Sequence, residues 1–305
     1  MPAVSKSGSR RSPGSSVKPP LRPQLRRNSM ASVREKVAAL MREVAAQEIM
    51  PRFRALAEHE IEEKTKGDLV TVADRNSELW LAPRLEALVP GSRALGEEAV
   101  AADPSLLVRL DDDTPLWTID PVDGTSNFVA GRETFGVMVS LVEKGETTGA
   151  WIYLPVTDEF VIAESGAGAF LYAGGETKRL DAGEAAQDPS GQTASFYVRF
   201  MPDDWRKGIE THAATVGGKT ATLCSAWDYT SIARGRHDFV TYYRMLPWDH
   251  APGALILREA GGVARDIETG LDYSPRTLKG PHLLARDEES WQRTAELIRA
   301  HVAAA

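Results

Sequence analysis

Apolar positions along the chain fall into two regimes: helical periodicity first, strand-like runs later. Over residues 32–62, Val33, Val37, Leu40, Met41, Val44 and Ile49 recur at three- and four-residue steps, which predicts an amphipathic helix. Pro51 lies inside this pattern, so a kink or break is expected near Met50. A charged loop, EEKTKG, and a short β-like run at residues 69–72 follow. A second helix is expected over residues 74–88, opened by Asp74 as a favoured N-cap type and stopped by Pro90-Gly91.

From Leu116 the pattern changes to short apolar or alternating runs, LWTI, FGVMVSLVEKG, TGAWIYLP, EFVIAES and AFLYAGG, separated by Gly, Pro and charged turns. They predict one antiparallel meander. Gly166-Ala167-Gly168 suggests a dinucleotide loop only superficially, because a strand-like run follows where that fingerprint needs a helix; a hairpin turn fits better. The small, polar stretch at residues 181–192 is the expected boundary between subdomains 30–182 and 183–305. Beyond it, the runs ASFYVRF, TATLCSA and HDFVTYYRM alternate with expected helices at 227–234, 252–260 and 288–303. The fold class is therefore α/β, an α+β layered sandwich.

Charge changes the picture at the N-terminus. Of 36 basic residues, seven lie in the first 30, where no acid occurs, so the rest of the 305-residue chain carries about −14 against an overall −7. So acidic a body repels phosphate backbones, which argues against nucleic acid as a general partner. Residues 1–29, with seven serines and five prolines, are expected to form a disordered basic tail lacking the apolar core of a secretory signal. The single Cys224 rules out an internal disulfide framework and fits a reducing compartment. No apolar run approaches the ~20 residues that span a bilayer, so a membrane location is not expected.

The chemistry concentrates at Asp120-Pro121-Val122-Asp123-Gly124-Thr125-Ser126-Asn127. A strand ends at Asp120, two carboxylates stand three positions apart, and Gly124-Thr125-Ser126 can open a helix whose free N–H groups face an anion. Such an arrangement suits hard cations together with a phosphate, although an Asx-turn with solvated aspartates has the same pattern. Glu97 stands where another strand would end, Asp249 precedes an expected helix and Asp74 opens one; each alone also reads as a surface acid or a cap. Asp111-Asp112-Asp113 reads as a solvated turn, and His250 as a capping or packing residue.

Taken in order, DLVTVAD (68–74), GEE (96–98), IDPVDGTSNF (119–128) and WDHAPGALILREAGG (248–262) resemble the inositol monophosphatase family. That family contains Mg²⁺-dependent, lithium-sensitive phosphomonoesterases related to the fructose-bisphosphatases, and the resemblance spans residues of about 30–300. It implies alternating α-β-α-β-α layers, a cytoplasmic homodimer, and two or three Mg²⁺ per site with Mn²⁺ as a substitute. It also implies that Glu97, Asp120 and the Val122 carbonyl bind one metal, while Asp120 bridges to a second held by Asp123 and Asp249. Thr125 and Asp74 would orient and deprotonate the attacking water, and the backbone of Gly124 and Thr125, with Ser126 beside them, would hold the phosphate. A weaker third metal would use Glu97 near a mobile loop at 64–68. All-oxygen ligation agrees independently, since it selects Mg²⁺ or Mn²⁺ over zinc.

The specificity pocket departs from the inositol pattern. Arg244 stands where inositol-specific members carry a Glu, and the small pocket segment is represented by Leu223-Cys224-Ser225-Ala226, with Ser225 as a substrate contact. A guanidinium only donates hydrogen bonds and prefers anions, so Arg244 either pairs with a neighbouring acid or favours a second anionic group on the substrate. The expectation is phosphomonoester hydrolysis of inositol monophosphate or a related polyol phosphate. The same chemistry on fructose 1,6-bisphosphate, histidinol phosphate or a nucleotide 3′-phosphate is the alternative, followed by a non-catalytic, RNA-associated scaffold.

Overall fold

A computed structural model describes residues 22–65 and 67–305. Helix α1 (Arg22–Val44) continues into a π-helical turn, Ala45–Ile49, and strands β1 (Ile61–Thr65) and β2 (Asp68–Thr71) form a hairpin before α2 (Val72–Leu88). Then come β3 (Arg93–Gly96), α3 (Glu97–Ala102), β4 (Leu116–Asp123) and the short α4 (Thr125–Val129). The meander is β5 (Gly136–Glu143), β6 (Glu146–Leu154), β7 (Glu159–Glu164), β8 (Gly168–Ala173) and β9 (Glu176–Arg179). The remainder is β10 (Thr193–Phe196), α5 (Asp203–Ala213), β11 (Gly218–Thr220), α6 (Ser225–Ala233), β12 (Phe239–Arg244), α7 (Pro247–Glu259), β13 (Val263–Asp266), β14 (Lys279–Ala285) and α8 (Glu288–Ala303).

Strands β3 to β9 make a seven-stranded sheet in sequence order, antiparallel except for the parallel pair β3/β4. A five-stranded sheet has the order β11-β10-β12-β14-β13, with β10 parallel to both its neighbours. Helices α1 and α2 cover one face of the larger sheet, α6 and α7 lie between the sheets, and α5 and α8 cover the far face of the smaller one. These are the expected α-β-α-β-α layers. Every residue of β4 is buried, because both faces of that strand are covered. Strand alternation divides its neighbours between layers: Val139, Leu141 and Trp151 pack toward α1 and α2, whereas Met138, Ala150 and Ile152 pack toward α6 and α7.

Several expectations need correction. The disordered tail was expected to reach residue 29, yet residues 22–29 are helical; residues 1–21 lie outside the described residues. Pro23 falls in the first helical turn, where its missing N–H and fixed φ are tolerated, and it extends a helix nucleated downstream. The helix expected to reach residue 62 stops at Ile49, and EEKT becomes strand β1 rather than loop. Helix α2 is capped by Thr71, not Asp74; the Asp74 carboxylate instead returns to the Thr71 N–H from the third helical position. Helix α7 begins five residues earlier than Pro252, with Pro247 in its first turn. The hairpin at Gly166 is as expected, with φ of +77° and +93° at Gly166 and Gly168.

Candidate active site

The carboxyl ends of β3 and β4 meet the N-termini of α3, α4, α6 and α7 in one cleft of about 500 Å³. Pairing of β4 with β5 is irregular between Asp120 and Asp123, so this strand end carries both carboxylates into the cleft wall. Gly124 then turns the chain into α4 with φ of +87°; a Cβ there would stand 2.9 Å from the Thr134 carbonyl oxygen.

Glu97, Asp120 and Asp249 converge, one oxygen from each lying within 4.8 Å of the others. Asp120 is buried, whereas Glu97 and Asp249 are half-buried. Burial first, then the charges of Glu97 and Asp123, push the Asp249 carboxyl up to about 8, and the same forces, with the charge of Asp249, raise Asp120. Among the described residues, the cation paired with this group is Lys64 on β1, whose Nζ lies 2.9 Å from Glu97 Oε1 and 2.5 Å from Glu98 Oε1. Three crowded carboxylates, two of them without a counter-ion within salt-bridge distance among the described residues, fit a hard divalent cation bound through oxygen.

Asp74 sits behind this group. Both the N–H (2.8 Å) and the hydroxyl (2.6 Å) of Thr71 donate to its Oδ2, which leaves Oδ1 for the Thr125 hydroxyl at 3.2 Å. That hydroxyl also lies 3.0 Å from the Val122 carbonyl oxygen. Burial, opposed by the Thr71 bonds and reinforced by the charge of Glu97, raises the Asp74 carboxyl to about 7.

Asp123 stands apart from the other acids. Its Oδ1 accepts from the Ser225 N–H (3.2 Å) and hydroxyl (3.0 Å), and its Oδ2 from the Ala226 N–H (2.7 Å) and the Cys224 thiol (2.9 Å). It thereby caps α6, favourably placed at the positive end of that helix. Ser225 lines the cleft but is oriented by Asp123, and Ser126 lines it from α4. Arg244 ends β12 on the same cleft, stacked 4.5 Å from the Phe200 ring centroid.

His250 is a packing residue: Nε2 bonds the Arg244 carbonyl oxygen (2.9 Å), Nδ1 the Tyr229 hydroxyl (3.1 Å), and burial lowers its pKa to about 3. Asp111, Asp112 and Asp113 are exposed, as expected of a solvated turn.

Sequence reasoning missed Glu78. Its two carboxylate oxygens accept the N–H groups of Glu98 (2.7 Å) and Ala99 (2.8 Å), fixing the first turn of α3 and therefore Glu97. The available signal was its position, four residues after Asp74 on the buried face of α2. Burial raises Glu78 to about 7, against those two hydrogen bonds. Carboxyls raised in the folded state hold protons that unfolded carboxyls, with ordinary values near 4, release. Between about pH 4 and pH 8 the folded state therefore binds more protons, and metal-free stability falls as pH rises. Calorimetry in EDTA is expected to give a higher Tm at pH 5.5 than at pH 8.5; the reverse order would contradict these assignments.

No helix among the described residues is long and apolar enough to cross a membrane. The family model described as "Inositol monophosphatase family" matches residues 30–304. Over 208 residues the chain is 31% identical to a Thermotoga maritima protein named fructose-1,6-bisphosphatase/inositol-1-monophosphatase, covering 68% of this chain and 75% of that one. It is 30% identical over 230 residues to a Vibrio cholerae protein named Nus factor SuhB, covering 71% and 82%. Among solved structures, an IMPase from Thermotoga maritima superposes with a TM-score of 0.70 at 25% identity, covering 88% of this chain and 96% of that one. The ordered acid motifs, the layered fold and a match along nearly the whole described chain lead to one conclusion: this chain belongs to the inositol monophosphatase family of phosphomonoester hydrolases.

Proposed function

We propose that the chain is a Mg²⁺-dependent phosphomonoesterase acting on inositol monophosphate or a related small polyol or sugar phosphate, with fructose 1,6-bisphosphate, histidinol phosphate or a nucleotide 3′-phosphate as alternative substrates. The observation that carries this reading is the convergence of Glu97, Asp120 and Asp249 beside the Asp74–Thr125 pair. Glu97, Asp120, the Val122 carbonyl, Asp249 and a reoriented Asp123 would hold two or three Mg²⁺, or Mn²⁺, which supply water activation and charge neutralisation of the leaving oxygen.

The chain's own groups account for positioning and proton transfer. Thr71 saturates one Asp74 oxygen, so the other is directed at Thr125. The Thr125 hydroxyl can orient a water, and Asp74, raised to about 7, accepts a proton at working pH. The first N–H groups of α4, at Gly124, Thr125 and Ser126, lack acceptors within their own helix and suit phosphate oxygens. Phosphate release is expected with Mg²⁺, to vanish in EDTA and to return with Mn²⁺; metal-independent release would overturn this reading. The reading extends to a lithium-sensitive, cytoplasmic homodimer, which lithium titration and sedimentation would check.

The Vibrio cholerae relative named a Nus factor favours a second reading, a role in a regulatory assembly. Co-purification with transcription components by an Asp120→Asn variant would separate that role from turnover.

A further inference from the structure

The cleft has two chemically opposite ends. One holds Glu97, Asp120 and Asp249; the other holds Arg244, Phe200 and Arg199. Arg244 is exposed, and among the described residues no carboxylate lies within salt-bridge distance of its guanidinium and no side-chain hydrogen bond occupies it. This removes the reading in which Arg244 is paired with a neighbouring acid. Its guanidinium carbon lies over the Phe200 ring, a contact that uses the flat face and leaves the N–H edge available. Phe200 is itself 47% exposed, so the aromatic shelf is open to the cleft. Arg199 flanks the same ring at 5.2 Å and donates to the Gly67 carbonyl oxygen at 3.4 Å, joining this loop to the β1–β2 hairpin.

We propose that Arg244 is a specificity residue that docks a second anionic group, phosphate or carboxylate, of a small substrate whose phosphomonoester lies at the Glu97–Asp120–Asp249 end. This rests on the phosphatase reading and deepens it. Arg244 ends β12 and Asp249 lies five residues on in the first turn of α7, where the neighbouring His250 imidazole bonds the Arg244 carbonyl oxygen, so the two ends are adjacent along one cleft wall. A small metabolite can therefore touch both. A neutral polyol ring offers the N–H edge only hydroxyl acceptors, whereas a dianion offers the charge-assisted, bidentate contact that a guanidinium favours.

Matched esters test the inference. With Mg²⁺ present, kcat/KM is measured for fructose 1,6-bisphosphate against fructose 1-phosphate, and for 3-phosphoglycerate against glycerol 3-phosphate. The pair showing the larger preference tells whether phosphate or carboxylate is the second anion. A preference for the doubly anionic member is expected, and Arg244→Gln is expected to lower that ratio about 10- to 100-fold, with Arg244→Lys recovering part of it. A parallel fall on both members, or no change, would overturn the proposal. Calorimetric titration of fructose 1,6-bisphosphate with Ca²⁺ replacing Mg²⁺ reads affinity without turnover. Equal affinities for wild type and Arg244→Gln would overturn it there too. Mg²⁺-dependent release from none of the esters would instead overturn the phosphatase reading.

Discussion

Asp120→Asn is expected to lower phosphatase turnover by at least about 1,000-fold while leaving the fold intact. The two halves of this expectation have separate causes. Burial and the charges of Glu97, Asp123 and Asp249 all act on Asp120, so its negative charge is opposed in the absence of metal. An asparagine keeps an oxygen able to accept the Val122 N–H, now bonded at 3.0 Å, and therefore keeps the strand end in shape. It removes one member of a repelling cluster, so Tm in EDTA is expected to stay level or rise, while the stabilisation by added Mg²⁺ disappears. Thermal melts with and without Mg²⁺, alongside phosphate release, separate the two. Near-normal turnover in this variant would remove Asp120 from the metal-binding assignment.

The second large effect is expected far from any reacting atom. Gly96 closes β3 directly beneath the Glu78 carboxylate, and a Cβ there would overlap the carboxyl group itself. Glu78 has little freedom to yield, because it is buried and held by the N–H groups of Glu98 and Ala99. Gly96→Ala is expected to cost about 3 kcal/mol in urea unfolding, as an overpacked site that also leaves two N–H groups without their acceptor. Glu97 rides on the same helical turn, so the Mg²⁺ concentration for half-activation is expected to rise at least about tenfold. Glu78→Gln keeps the shape but replaces one acceptor with a donor, and a smaller rise is expected. A Gly96→Ala protein with wild-type stability would show that Glu78 can move aside.

The order of the acid motifs was legible in the sequence because each sits at a junction where the backbone pattern changes. Asp120 and Asp123 end an apolar run, Glu97 follows another, and Asp249 lies in the first turn of an apolar helix. The meander was equally legible, since its runs are long, apolar and separated by turn residues. What escaped was set by tertiary contact. The run ASFYVRF reads as a seven-residue strand, but only its first three residues, Ala194 to Phe196, lie in a strand with parallel partners, and the rest turns away to form the Phe200 loop. EEKT looks like a charged loop in isolation; pairing with β2 makes it a strand, and Lys64 there lies against two glutamates more than thirty residues away. Thr71 takes the N-cap from Asp74 because Asp74 is needed three residues further in, where its other oxygen reaches Thr125.

The cap on α6 has a thermodynamic consequence. Four donors already meet the two oxygens of Asp123, about as many as a carboxylate accepts. A cation that recruits Asp123 has to release at least one of them, and the released donor then faces the cleft without a partner. An unmet N–H or hydroxyl at that place lowers the cost of bringing in a ligand that offers an oxygen. Cation and substrate would thus cooperate through a single side chain, each tightening the other by the same factor. The α6 cap would then be complete in the absence of both, and its opening by the cation would cost least when the substrate is bound as well.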